Sequence, residues 1–329
     1  MEGEIIAREK IAYQTIPAAG IHGVGISALP GNILQLVKGF FASRKIVAKF
    51  NPDVLLFTGG YLAVPMALAA IRRDSLLYVP DIEPGLALQT IARFSDQIAV
   101  TTESSKAFFK NKPVTVTGYP TRSDLGHWDK QHGRLFFHIT TEKPVLLVFG
   151  GSKGARSINQ AVTSHLLEIL DLAEVIHISG SLDWDSVQAA REALPEDRRS
   201  SYHVMPYLHE MGAALAAADL AVSRSGASTL GEYPLFGLPA ILVPYPYAWR
   251  YQKVNADYLA SHGAGIVLEN QLLSDRLVPT LKDIFQNKEK LATMQKSAAS
   301  LSVPDAAQNI AAVLANLVQT RKKNERKHD

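Results

Sequence analysis

Ten short apolar runs recur along the chain with helix-periodic segments between them, and this alternation is the strongest constraint on the fold. They lie at Asp53–Phe57, Leu76–Val79, Gln97–Thr101, Val114–Thr117, Val145–Phe149, Val175–Ser179, Tyr202–Met205, Leu220–Ser223, Ala240–Val243 and Gly265–Leu268. A strand covered on both faces is apolar throughout, and strands separated by crossover helices lie parallel. The expectation is an α/β protein. Short, turn-rich spacing favours open doubly wound sheets over a barrel, with ligands at the carboxyl ends of strands. Six runs fall in the second half. The first half has four, or five if Tyr13–Ile16 is counted.

At 329 residues the chain is long enough for two cores. Its net charge of +3 is dispersed and no aromatic-basic RNA motif appears, which argues against nucleic acid as a partner. There is no cysteine, so disulfide and thiolate chemistry are excluded and a reducing cytoplasm is expected. No apolar run approaches the roughly 20 residues of a membrane span. The start, "MEGEIIAREK", places charges where a signal peptide would be apolar.

Two glycine turns echo each other. "VLLFTGG" at Val54–Gly60 and "VLLVFGG" at Val145–Gly151 agree at five of seven positions. The second continues as "GGSKGARSIN", with Gly150, Gly151, Ser152 and Gly154 ahead of a helix pattern. Free backbone N–H groups at such a helix start suit a phosphate. The order of residues fits neither the P-loop nor the dinucleotide fingerprint. A plain strand-to-helix turn needing glycine explains the loop equally well. In "SRSGASTLGE", Gly226 permits a sharp turn, Ala227, Ser228 and Thr229 offer donors, and Glu232 can accept two hydrogen bonds from a ribose diol. A helix cap followed by a surface glutamate is the equal alternative. Gln252 and Asn255 share a helix face and could read sugar hydroxyls, or simply be exposed.

Taken in order, these pieces resemble the C-terminal half of the MurG-type N-acetylglucosaminyltransferases. "NPDVLLFTGGYLAVP", "PGLALQTIARFSDQIAVT" and "VTGYPTR" fall in the same family's order, so the resemblance covers nearly the whole chain. It implies the GT-B fold, two Rossmann-like doubly wound parallel-sheet domains facing across a cleft. Residues 1–120 would form an acceptor- and membrane-side domain, 121–134 a linker, 135–319 a UDP-sugar-binding domain and 320–329 a charged tail. The implied reaction is inverting transfer of N-acetylglucosamine from UDP-N-acetylglucosamine to a lipid-linked muramyl-peptide acceptor. Ser152 and the loop amides would contact the diphosphate, with Arg122 across the cleft. The Leu208 backbone would meet the uracil, Ala227 to Thr229 the sugar and phosphate, Glu232 the ribose, and Gln252 with Asn255 the hexose. No tightly bound cofactor is implied, and the sequence leaves a divalent-metal requirement open. The implied location is the cytoplasmic face of the plasma membrane.

Two departures from the family pattern stand out. Its opening strand and "GGTGGH" loop have no counterpart here, so the N-terminal domain is expected to be incomplete and the chain to bind donor with little transfer. True truncation and a misplaced start both account for this. "VPDIEPG" stands where the family has "EQNAVPG". Asp81 near the acceptor would then be protonated, paired with Arg122, or the base.

"DWD" at Asp183–Asp185 reads as a helix cap rather than a metal motif, His209-Glu210 lacks a second histidine, and the ten histidines show no metal spacing. In Leu29–Phe50, Ile33, Leu36, Val37, Phe40 and Phe41 form an apolar face rimmed by Lys38, Arg44, Lys45 and Lys49. Such a face suits core packing or an anionic lipid surface. Two rivals remain: a transferase for another nucleotide sugar or acceptor, and a non-catalytic nucleotide-sugar-binding chain.

Overall fold

The computed structural model describes residues 6, 10–20, 25–151, 153–246 and 251–328. All ten apolar runs form strands, with bounds shifted by at most two residues from those expected: β1 (Val54–Phe57), β2 (Asp74–Val79), β3 (Gln97–Val100), β4 (Val114–Val116), β5 (Val145–Phe149), β6 (Glu174–Ile178), β7 (Tyr202–Met205), β8 (Leu220–Ser223), β9 (Ala240–Leu242) and β10 (Gly265–Val267). They make two parallel sheets, β1-β2-β3-β4 and β10-β9-β8-β5-β6-β7. Tyr13–Ile16 is irregular and not a strand. It lines an apolar cavity of about 830 Å³ together with Ile46, Phe50, Leu62 and Met66.

Both faces of each sheet carry a core, as parallel ladders require. On one face of the first sheet, Phe57, Leu77, Val79, Ile98 and Val100 pack with Ala67, Leu88 and Ile91 from the helices Ala63–Ala69 and Leu86–Phe94. The opposite face, Leu76, Tyr78 and Ala99, is covered by Ile310, Val313 and Leu317 of the Ala306–His328 helix. That helix corrects the expected boundary at 319. It leaves the second sheet and completes the core of the first, bringing Ile310, Val313 and Leu317 onto Leu76, Tyr78 and Ala99. Its helical backbone also runs through the expected tail as far as His328.

The expected linker is likewise structured. Leu125 is fully buried, and the Lys130–Phe136 helix approaches the Met211–Ala217 helix so closely that a Cβ on Gly133 would sit 2.5 Å from the Ala213 carbonyl oxygen. The second half of the polar stretch therefore belongs to the second core.

The Leu29–Phe50 helix begins with proline in its first turn, where a missing N–H costs nothing, and stops at Asn51 in the left-handed region. Its buried stripe is Gly39, Ser43 and Val47. Of the two readings of its apolar face, core packing accounts for only part. Ile33, Leu34, Val37 and Phe41 are exposed, Phe41 to 64 %, while Leu36 and Phe40 are half-buried. Among the described residues, no helix is long and apolar enough to cross a membrane.

Candidate active site

The second sheet changes its direction of winding between β5 and β8. The chain adds β6 and β7 on one side, then returns to add β8, β9 and β10 on the other. The turns that follow β5 and β8 thus face each other across one crevice, the switch point where open α/β sheets bind ligands.

The turn after β5 is built on glycine for steric reasons. A Cβ on Gly150 would lie 2.2 Å from the Ala155 amide nitrogen. Gly151 and Gly154 have positive φ, and the Gly154 N–H closes the turn on the Gly151 carbonyl at 2.9 Å. The Arg156–Ser164 helix follows, so its N-terminal amides open onto the crevice. Ser152 lies outside the described residues, and Lys153 is exposed.

The turn after β8 is a junction. Arg224 donates to the Val243 carbonyl (3.0 Å), Asn270 Oδ1 (2.9 Å) and Ser157 Oγ (2.9 Å), and its guanidinium lies over the Tyr245 ring at 5.2 Å. Burial lowers its pKa. Arg224 thereby ties the first turn of the 156–164 helix to the loop after β9. Sequence pattern alone gives it no role, although "SRSG" places it between a strand end and a turn glycine.

The Thr229 hydroxyl donates to the Gly226 carbonyl at 2.7 Å, so it braces the turn instead of facing the crevice. Ala227 and Ser228 are half-buried in the same 3-10 turn. Glu232 follows it, and burial raises the Glu232 pKa while Arg122 and a hydrogen bond from Ser228 oppose the shift. Arg122 is exposed, 3.5 Å from Asp124, and it faces Glu232 electrostatically. Among the described residues its ion pair is with Asp124, not Asp81. Leu208 is half-buried just beyond β7 and packs on the second core.

Gln252 and Asn255 have different fates. Gln252 Oε1 accepts from the Tyr245 N–H at 2.8 Å and its carbonyl accepts from Ser225 Oγ at 2.6 Å, which leaves the amide nitrogen as the end able to donate. Asn255 is fully buried. It donates to Asp81 Oδ1 (2.8 Å) and the Ser225 carbonyl (3.2 Å) and accepts from the Ile82 N–H (3.1 Å). In this structure its amide clasps the two domains and is not left to read a sugar. Asp81 therefore sits at the domain junction with its pKa raised by burial, against the opposing hydrogen bond from Asn255. Tyr251 reaches the same loop, its hydroxyl 2.9 Å from where a Cβ on Gly85 would be.

Asp183 occupies the N-cap position of the Trp184–Glu192 helix without a side-chain capping bond. Its carboxylate accepts instead from Asn159 Nδ2 (2.9 Å) and Arg156 Nε (3.0 Å). Among the described residues no group of three or more His, Cys, Asp or Glu is arranged to hold a metal.

Residues 145–310 match the glycosyltransferase family 28 C-terminal domain and residues 1–100 the family 28 N-terminal domain. Curated relatives named UDP-N-acetylglucosamine–N-acetylmuramyl-(pentapeptide) pyrophosphoryl-undecaprenol N-acetylglucosamine transferase span nearly the whole chain. The protein from Roseiflexus sp. is 37% identical over 98% of this chain and 82% of its own length. That from Bacillus subtilis is 31% identical over 96% and 88%. The crystal structure of Acinetobacter baumannii MurG superposes with a TM-score of 0.74 at 23% identity, covering 96% of this chain and 88% of that one. A UDP-GlcNAc 2-epimerase from Neisseria meningitidis has the same fold at TM-score 0.66 and 13% identity, covering 96% and 88%. Two sheets, a glycine turn at the switch point and relatives matched over nearly all of this chain agree: the chain belongs to the MurG-type N-acetylglucosaminyltransferases of glycosyltransferase family 28.

Proposed function

We propose that the chain transfers N-acetylglucosamine from UDP-N-acetylglucosamine to a lipid-linked muramyl-peptide acceptor, with inversion at the anomeric carbon. The observation that carries this reading is the pairing, across the β5/β8 crevice, of a glycine turn at a helix N-terminus with a half-buried glutamate. The turn amides and helix dipole would stabilise charge that develops on the departing diphosphate. Glu232 would take the ribose hydroxyls, the Leu208 backbone the uracil, Arg122 the diphosphate from across the cleft, and the Gln252 amide nitrogen a hexose hydroxyl. The acceptor hydroxyl oxygen would bond to the anomeric carbon as the bond to the diphosphate oxygen breaks. The hydroxyl proton would pass to a carboxylate, for which Asp81 at the domain junction is the candidate. A raised pKa suits such a base.

The test is to incubate the protein with UDP-N-acetylglucosamine, with and without a lipid-linked muramyl-peptide acceptor. UDP released only with acceptor, together with a β-linked disaccharide product, is the expected result; the family 28 N-terminal match over residues 1–100 favours it over the little transfer expected from the sequence. Conversion of the sugar nucleotide without acceptor would favour the epimerase chemistry of the proteins that share the fold.

Glu232 gives a second prediction. Its pKa is raised in the folded state, so its contribution to stability is present below the unfolded value and is lost as pH rises through the acid range. Glu232→Gln should flatten that loss in thermal unfolding of the ligand-free protein, yet weaken UDP binding by roughly 1–3 kcal/mol in calorimetry.

The exposed stripe of Ile33, Leu34, Val37 and Phe41, beside exposed Lys38, Arg44, Lys45 and Lys49, supports contact with an anionic membrane surface on the cytoplasmic side. A double change of Val37→Ser and Phe41→Ser should cut binding to phosphatidylglycerol vesicles about tenfold with an unchanged melting temperature. A lower melting temperature with unchanged vesicle binding would mark these side chains as packing groups.

A further inference from the structure

His177 on β6 is fully buried, and burial holds its pKa down to about 3, so the ring is neutral at physiological pH. Its two nitrogens have different partners: Nδ1 lies 2.7 Å from the Tyr202 hydroxyl and Nε2 lies 3.0 Å from Asn159 Oδ1. The Asn159 amide nitrogen faces two acceptors, the Ser179 carbonyl and Asp183 Oδ2, each at 2.9 Å. Turning the amide over would set its oxygen against both. The amide therefore has one orientation, its oxygen needs a donor, and His177 carries its proton on Nε2. Nδ1 is then an acceptor, and the Tyr202 hydroxyl supplies the hydrogen.

This chain of bonds ends under the phosphate turn. A Cβ on Gly154 would lie 2.1 Å from the Ser179 carbonyl oxygen, and one on Gly180 would lie 2.4 Å from the Gly154 amide nitrogen. The Ser179-Gly180 turn is thus the floor on which the 150–155 turn rests, with no space between the two backbones. Asn159 holds that floor by its carbonyl.

We propose that His177 is a positioning residue for the sugar-nucleotide site: with Tyr202 it fixes the Asn159 amide, and through the Ser179 carbonyl it sets the height of the glycine turn that receives the diphosphate. The inference rests on the donor reading given above for the ligand, but not for the geometry. Its chemical content is the tautomer. The form with the proton on Nδ1 would present a bare Nε2 to the Asn159 oxygen, turn the amide over and push the Ser179 carbonyl toward Gly154.

The test compares His177→Leu, His177→Gln and Tyr202→Phe with the unaltered chain, using UDP titration and amide hydrogen exchange at Gly154 and Ala155. A glutamine can donate to Asn159 Oδ1 where leucine cannot. His177→Gln should therefore keep UDP affinity within about threefold, while His177→Leu loses about tenfold or more, the scale of one buried hydrogen bond. Exchange at Gly154 and Ala155 should speed up in the leucine variant and not in the glutamine variant. Tyr202→Phe, which removes only the hydroxyl, should shift the ring's nitrogen-15 signals toward the Nδ1–H form and speed the same exchange. Equal affinity and equal exchange in all folded variants would overturn the proposal, as would glutamine behaving like leucine. If the leucine variant does not fold, unchanged exchange in Tyr202→Phe overturns it instead. Should the unaltered chain fail to bind UDP, the donor reading fails while the exchange measurements still decide the positioning role.

Discussion

Replacing Gly154 by alanine is expected to abolish high-affinity UDP binding and to destabilise the protein by about 2–5 kcal/mol. Two costs combine. Gly154 has a φ of +77°, where an L side chain is strained by roughly 1–2 kcal/mol. The new Cβ would also meet the Ser179 carbonyl oxygen at 2.1 Å, and that atom is backbone held by Asn159, so it cannot swing aside. Either the glycine turn rises into the crevice or the β6 turn sinks into the core. Urea unfolding and UDP calorimetry on the same preparation measure both effects. Gly226 is the matched control. It lies on the other side of the crevice with nothing within 4 Å of its missing Cβ and an ordinary φ of −67°, so alanine there should cost far less stability.

Asn255→Asp is expected to be the second large effect. The wild-type amide donates to Asp81 and to the Ser225 carbonyl from a fully buried position. An aspartate would set a second carboxylate against both acceptors, a loss of about 3–5 kcal/mol for an unpaired buried charge. The pH dependence carries the diagnosis. Burial already raises the Asp81 pKa, and a neighbouring like charge raises it further. A folded-state pKa above the unfolded value means that the native protein holds a proton the unfolded chain releases. The deficit relative to wild type should therefore shrink as pH falls into the acid range and grow as pH rises. A pH-independent deficit would mean that the two carboxylates do not meet, and that the domain clasp is not formed in solution.

These positions show how far the sequence could be read. Every strand was legible, because a strand buried on both faces writes its apolar run directly into adjacent residues. The two glycine turns were legible for the same local reason. The clasp was not. Asp81 and Asn255 are 174 residues apart, and no periodicity links an amide on one helix to a carboxylate in a distant loop. Asn255 looked like a sugar reader because its helix face and its neighbour Gln252 were visible while its partner was not. The role of Arg224 is not legible in sequence because its partners, Ser157, Val243 and Asn270, come from three separate segments. In sequence the last helix reads as part of the nearer sheet, since apolar spacing announces a buried face without saying which core buries it. Tyr13–Ile16 has the composition of a strand and no ladder to join.

The claim on which the rest depends is that the crevice between β5 and β8 holds a uridine diphosphate sugar. Calorimetric titration with UDP-N-acetylglucosamine, UDP, ADP and GDP under one set of conditions tests it most directly. The account predicts binding of the two uridine ligands and affinities at least about tenfold weaker for ADP and GDP, whose larger bases would not fit the uracil contact proposed for the Leu208 backbone. Equal binding of UDP, ADP and GDP would contradict it.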